Sequence, residues 1–197
     1  MAEGQPAARV GIPVSQLEQD LDILTRAETS LDVGRPAPEI YLYLLDFPRH
    51  MEWAHTYLTV EATTPGPTGV GSRYLVRKRQ DLRWDKRPFA TIADREGMDY
   101  TSEIAVTALD PERGLSWRSR IVEGSFLTGA EGDWSFVLEH VDDRITRVRL
   151  RGRVDGPREL LLGWIDELRA RGYPLDVIQR QVDRAMHNLR TILEGRA

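Results

Sequence analysis

The sequence predicts an α+β fold in which a strongly curved, seven-stranded antiparallel sheet wraps around a long C-terminal helix. An extra helix precedes the sheet. Three observations carry this expectation. Between residues 57 and 154, short segments alternate apolar and polar side chains and are separated by turn signals. After Gly156-Pro157 the period becomes helical and stays so to the end. The strands also sort into one apolar and one charged face, which suits a sheet covered on one side and wet on the other.

Taken in order, residues 1–13 are small, polar and proline-containing, and are expected to form a mobile tail. Ser15-x-x-Glu18 reads as a capping box ahead of Leu17, Leu21 and Leu24 at helical spacing. Thr29–Val33 alternates like a half-buried strand, Gly34-Arg-Pro36 breaks it, and Glu39–Leu45 reads as a helix. Asp46-Phe-Pro48 ends that helix and leaves an aromatic segment with His50, Trp53 and His55. Strands are expected at 57–62, 72–79, 102–108, 115–122, 134–140 and 146–154, with a charged insertion at 81–97. Two helical stripes follow, from Leu161 to Leu168 and from Leu175 to Ile192. Between them Gly172-Tyr-Pro174 imposes a kink or a break, because proline removes an amide donor and crowds the preceding turn. The chain therefore divides into a tail and short helix, 1–26, and one domain, 27–197.

Strand registers follow from the pairing that gathers apolar side chains, since a slip of one residue exchanges the faces. In one hairpin this sets Ala108 opposite Leu115, Val106 opposite Trp117 and Glu103 opposite Arg120. In the other it sets Leu138 opposite Val148, Phe136 opposite Leu150 and Glu139 opposite Arg147.

Composition narrows the function. The chain has 197 residues, 41% of them hydrophobic and 29% charged, enough for one domain with a real core. No apolar run approaches the roughly twenty residues of a membrane span, so no stable membrane insertion is expected. The first residues lack the pattern of a secretory signal, and a cytoplasmic location is expected. Without cysteine there are no disulfides, thiolate metal sites or cysteine nucleophiles. A net charge of −4 argues against nucleic acid as a partner. Gly66-x-x-Gly69-x-Gly71 follows a strand without opening a helix, so it is neither a dinucleotide fingerprint nor a phosphate loop. There is no Gly-x-Ser-x-Gly and no His-Glu-x-x-His. Neither a cofactor nor a metal is expected.

Four motifs in one order resemble a known superfamily. They are Pro36-Ala-Pro-Glu-Ile-Tyr-Leu-Tyr-Leu-Leu-Asp-Phe47 with Trp53, then Gly69-Val-Gly-Ser-Arg-Tyr74, then Val106-Thr-Ala-Leu-Asp-Pro111 with Leu115-Ser-Trp117, and the terminal helix. Over about residues 27–194 the chain resembles the START-like helix-grip superfamily, also called SRPBCC, in its polyketide cyclase/dehydrase branch. The N-terminal helix, the insertion and the Gly-Tyr-Pro break depart from that pattern. The resemblance implies a cavity between sheet and helix for a hydrophobic small molecule, and includes both carriers and cyclases.

The registers place Tyr74, Val76, Val106, Trp117, Trp134, Phe136, Leu138, His140, Val148 and Leu150 on the concave face, with Trp164 and Leu168 added from the helix. Trp53 is expected at the cavity mouth. Two of these carry candidate chemistry. His140, opposite Thr146, could shuttle protons, and the Tyr74 hydroxyl could hold a ligand carbonyl or an enolate. His50, Glu52 and His55 share no helical or strand face, so they do not read as a metal site. Arg147, Arg149, Arg151 and Arg153 form a ladder, with Arg77, Lys78, Arg79, Arg83, Lys86 and Arg87 elsewhere, and all are expected on a solvated face. Two functions stay open: a binder of a hydrophobic, aromatic or polyketide-like molecule, and a cyclase, aromatase or dehydratase using the same cavity. A third reading makes the N-terminal helix a dimer contact, so monomer and homodimer both remain open.

Overall fold

The computed structural model describes residues 13–81, 97–125, 127–170 and 172–195. Most of the expected 81–97 insertion lies outside the described residues. Helix α1 (Val14–Thr25) leads into β1 (Arg26–Val33), followed by α2 (Ala37–Leu45), a 3-10 turn at Phe47–Arg49 and the short α3 (His50–Trp53). Six strands come next: β2 (Tyr57–Ala62), β3 (Arg73–Asp81), β4 (Gly97–Asp110), β5 (Gly114–Glu123), β6 (Glu131–Asp142) and β7 (Ile145–Asp155). The chain closes with α4 (Arg158–Ala170) and α5 (Val177–Gly195). The strands form a single antiparallel sheet in the order β1-β7-β6-β5-β4-β3-β2. This is the α+β architecture that the sequence predicts.

The sheet's inner face is apolar because of the two-residue period. On β7, Val148 and Leu150 are buried while Arg147, Arg151 and Arg153 are exposed. The arginines meet acids on the outer face: Arg147 with Asp32 at 2.9 Å, Arg151 with Glu28 at 3.0 Å, Arg149 with Glu139 at 3.2 Å. Against the inner face lies α5, whose stripe of Ile178, Val182, Ala185, Met186 and Leu189 is buried. Gly172, in the left-handed conformation at φ +69°, ends the preceding helix, and the Tyr173 amide donates to the Leu168 carbonyl at 2.8 Å. The Gly-Tyr-Pro segment thus separates two helices.

Two local expectations need correction. Helix α1 starts one residue before Ser15, and its first amides bond to the Pro13 carbonyl, so Ser15 makes no cap. Ala108 faces Ser116, and it is Leu109 that faces Leu115. An extra residue between Val106 and Ala108 forms a bulge there, which bends β4 and shifts the register by one. The pairs Val106–Trp117, Glu103–Arg120, Phe136–Leu150, Leu138–Val148 and Glu139–Arg147 stand as expected. Helix α1 packs on its own domain, with the buried Asp20 carboxylate paired to Arg169 and Glu18 to Arg158 at 2.7 Å.

One glycine fixes an aromatic wall. A Cβ on Gly152 would fall 2.2 Å from the Trp134 ring, which lies flat over the β7 backbone. Gly152→Ala should therefore displace Trp134 and destabilise the fold by about 1–3 kcal/mol, as overpacking does. Thermal unfolding followed by tryptophan fluorescence measures both effects.

Candidate functional site

The interior between sheet and helices is dominated by aromatic rings in contact. Phe47 stacks on Tyr74 at 4.6 Å and on His50 at 4.5 Å. His50 meets Trp53 at 4.8 Å, and Trp53 meets Phe136 edge-on at 5.6 Å. Trp117 continues the cluster to Phe136 at 5.7 Å and to Trp134 at 6.5 Å. Such side chains fill most of the space that the bent sheet encloses.

Two adjoining cavities remain between the sheet and α5. One, of about 80 Å³, is walled by Ser102, Ile121, Trp164 and neighbours. The other, of about 90 Å³, is walled by Trp53, Tyr57, Trp117, Leu150, Val182 and Ala185. Lys78, Tyr100, Trp134, Ile178 and Gln181 line both. For scale, a dry apolar cavity of about 150 Å³ holds one benzene ring. A third, broader hollow of about 700 Å³ is open, and joins Trp117, Trp134 and Ile23 to charged groups such as Glu28, Asp133, Arg151 and Arg153.

Lys78 is the group that the sequence reading placed elsewhere. Grouped there with the solvated arginines, it is buried, with 9% of its surface exposed. The cause is its phase: on β3 it follows Tyr74 and Val76 at intervals of two, and Arg77 and Arg79 face out. In the backbone register it stands between Tyr57 of β2 and Tyr100 of β4. Its Nζ sits 4.8 Å from the centre of the Tyr57 ring, a cation–π contact. Burial pulls the ammonium down to about 8, so it stays mostly charged at neutral pH. Burial pushes the Tyr100 phenol up to about 12 and also raises Tyr57, helped by Tyr100 beside it. Both phenols therefore remain protonated and able to donate.

The expected site residues separate into three groups. Trp53, Trp117, Trp134, Leu150 and Trp164 line the cavities. Tyr74, Val76, Val106, Phe136, Leu138, Val148 and Leu168 are buried around them without lining either one. His140 is exposed near the end of β6, opposite Thr146. The Tyr74 hydroxyl already shares a 2.7 Å hydrogen bond with the Thr68 hydroxyl. Sequence reasoning missed Lys78, Tyr57, Tyr100, Ser102 and Gln181. For Lys78 the signal was present in the alternation of β3.

His50 is wholly buried, with Nε2 2.8 Å from the Leu44 carbonyl oxygen, and burial lowers it to about 4. It lines neither cavity and ties α3 to α2. No group of acids and histidines among the described residues could hold a metal ion.

No family model matches the chain, and no curated protein sequence matches it. Solved structures do. The aromatase/cyclase Zhui from Streptomyces sp. R1128 superposes with a TM-score of 0.54 at 17% identity, over 87% of this chain and 94% of that one. A START superfamily protein from Mycobacterium smegmatis gives 0.52 at 11% identity, over 87% and 96%. The di-domain aromatase/cyclase BexL of the BE-7585A biosynthetic pathway gives 0.50 at 19% identity, over 85% of this chain and 47% of that one. The chain has the START-like helix-grip fold.

Two stability effects follow from the buried bases. Between pH 6.5 and about 4 an unfolded His50 binds a proton that the folded one refuses. Lowering the pH through that window should remove stability on the order of 3 kcal/mol, and His50→Gln should flatten this part of a denaturant-midpoint-against-pH profile. Lys78→Met, which removes a buried charge of similar volume, should stabilise the ligand-free protein by about 1–3 kcal/mol in thermal unfolding at pH 7.

Proposed function

We propose that this chain binds a small hydrophobic molecule, aromatic or polyketide-like, in the adjoining cavities between the sheet and α5. The observation that supports this best is the wall composition. Trp53, Trp117 and Trp134 surround a space from which three buried side chains can still donate: Lys78, Trp53 through Nε1 and Ser102 through Oγ. Apolar walls with a few convergent polar groups are the general make-up of a small-molecule site. Flat rings also suit an aromatic lining.

A second reading is cyclisation of a ligand held there, and the aromatase/cyclases with the same fold favour keeping it. In that reading Lys78 takes the role expected of Tyr74, whose hydroxyl is engaged by Thr68. A protonated amine beside a bound carbonyl favours the enolate, and the cavity shape selects which carbons meet.

The test starts with mass spectrometry of an organic extract from protein purified out of its native host. A stoichiometric hydrophobic species is expected. Saturating toluene, a neutral single ring, should raise the melting temperature by roughly 2 °C or more. Ala185→Phe, which fills the larger cavity, should abolish both. An empty extract together with no toluene effect on the wild type would mean that these cavities are core packing.

A further inference from the structure

We infer that the ligand is a small aromatic acid: the Lys78 ammonium takes its carboxylate, and its single ring lies among Trp53, Trp117 and Trp134. This rests on the binding function proposed above and adds the charge and size of the ligand.

Charge balance carries the argument. A buried charge is ordinarily paired, because leaving it alone in an apolar interior costs several kcal/mol. Among the described residues Lys78 makes no hydrogen bond and no ion pair; the face of Tyr57 is its cation–π partner, and its charge also disfavours a proton on the buried His50. Glu131 is the sole carboxylate lining either cavity. Its side chain is 46% exposed and lies 4.0 Å from Arg118. Among the described residues the interior thus holds one positive charge with no negative one beside it. A neutral ketone or alkane would leave that imbalance in place, whereas a carboxylate removes it.

The remaining polar atoms agree. Trp53 Nε1 is a donor only, and Ser102 Oγ can donate; both are buried without partners among the described residues, and each borders a cavity that Lys78 also lines. Three donors without a hydrogen-bond partner among the described residues suit an acceptor-rich group. Each space, of about 80 and 90 Å³, is smaller than one that holds a benzene ring, so a single ring fits only across the two together and a fused polycycle only if the tryptophans move.

Isothermal titration of the whole chain at pH 7 with benzoate, its neutral isostere benzamide, and toluene tests this. Benzoate should bind at least about tenfold tighter than benzamide, the usual difference for a hydrogen bond to a charged group. Lys78→Met should erase that preference and keep toluene binding. Toluene binding without a benzoate preference in the wild type would overturn the inference and leave the cavity proposal standing. A preference that survives in Lys78→Met would overturn it as well. Should none of the three bind the wild type, the cavity proposal falls first and this one with it. The benzoate–benzamide comparison needs no variant, so it does not depend on how Lys78→Met folds.

Discussion

A sheet that buries one face against a single helix must bend, and that curvature governs most of this molecule. An α-helix with its side chains is only about 10–12 Å across, while seven strands lie side by side here. Register shifts at Tyr57/Thr59, Thr101/Ser102, Val106/Ala108 and His140/Asp142 are spread over three of the strand pairings. Each inserts a residue on one strand and tightens the local twist. The enclosed volume then exceeds what α5 alone can occupy. Large rings fill it, and the two cavities are what remains where rings and helix do not meet.

That geometry also explains how Lys78 is tolerated. Its stem packs along the apolar face like any long side chain, and its head lies on the Tyr57 ring. Cation–π attraction offsets part of the desolvation but does not replace a counter-charge. A fold under selection for stability alone would be better served by methionine there. Retaining an ammonium in that position is a cost of the kind that functional sites carry. The three solved structures named above are 11–19% identical to the chain, a likeness that extends to the architecture and not to the surroundings of Lys78.

Much of the architecture was legible because it rests on period. Alternation placed Trp134, Phe136 and Leu138 of β6, Val148 and Leu150 of β7 and most of the hairpin registers, and the helical stripes placed α4 and α5. The one-residue slip at Ala108 was invisible because a bulge has no apolar signature: Ala108 and Leu109 are both acceptable partners for Leu115. The site was harder to see. The charge of Lys78, between Arg77 and Arg79, argues for solvent, whereas its phase with Tyr74 and Val76 points inward. His140 shows the opposite error of weighting phase alone, since a strand end can leave the sheet's cover even when its parity is right. Tyr57, Tyr100 and Gln181 carry no local mark, and only the meeting of β2, β3, β4 and α5 makes them neighbours.

The sheet order has a bearing on how the chain assembles. The first strand made, β1, pairs with the last, β7, so that Arg26 ends beside Arg153. Nearly the whole domain must exist before that pair can form, and such long-range pairings slow folding. Until then both sides of β1, an edge strand even in the finished sheet, could recruit other chains. Its outward residues Glu28 and Asp32 guard against this. As carboxylates they repel the same strand of another copy, and their partners Arg147 and Arg151 arrive only with β7. The charge pattern of the outer face thus doubles as a timing device, discouraging early mispairing and rewarding the last native one.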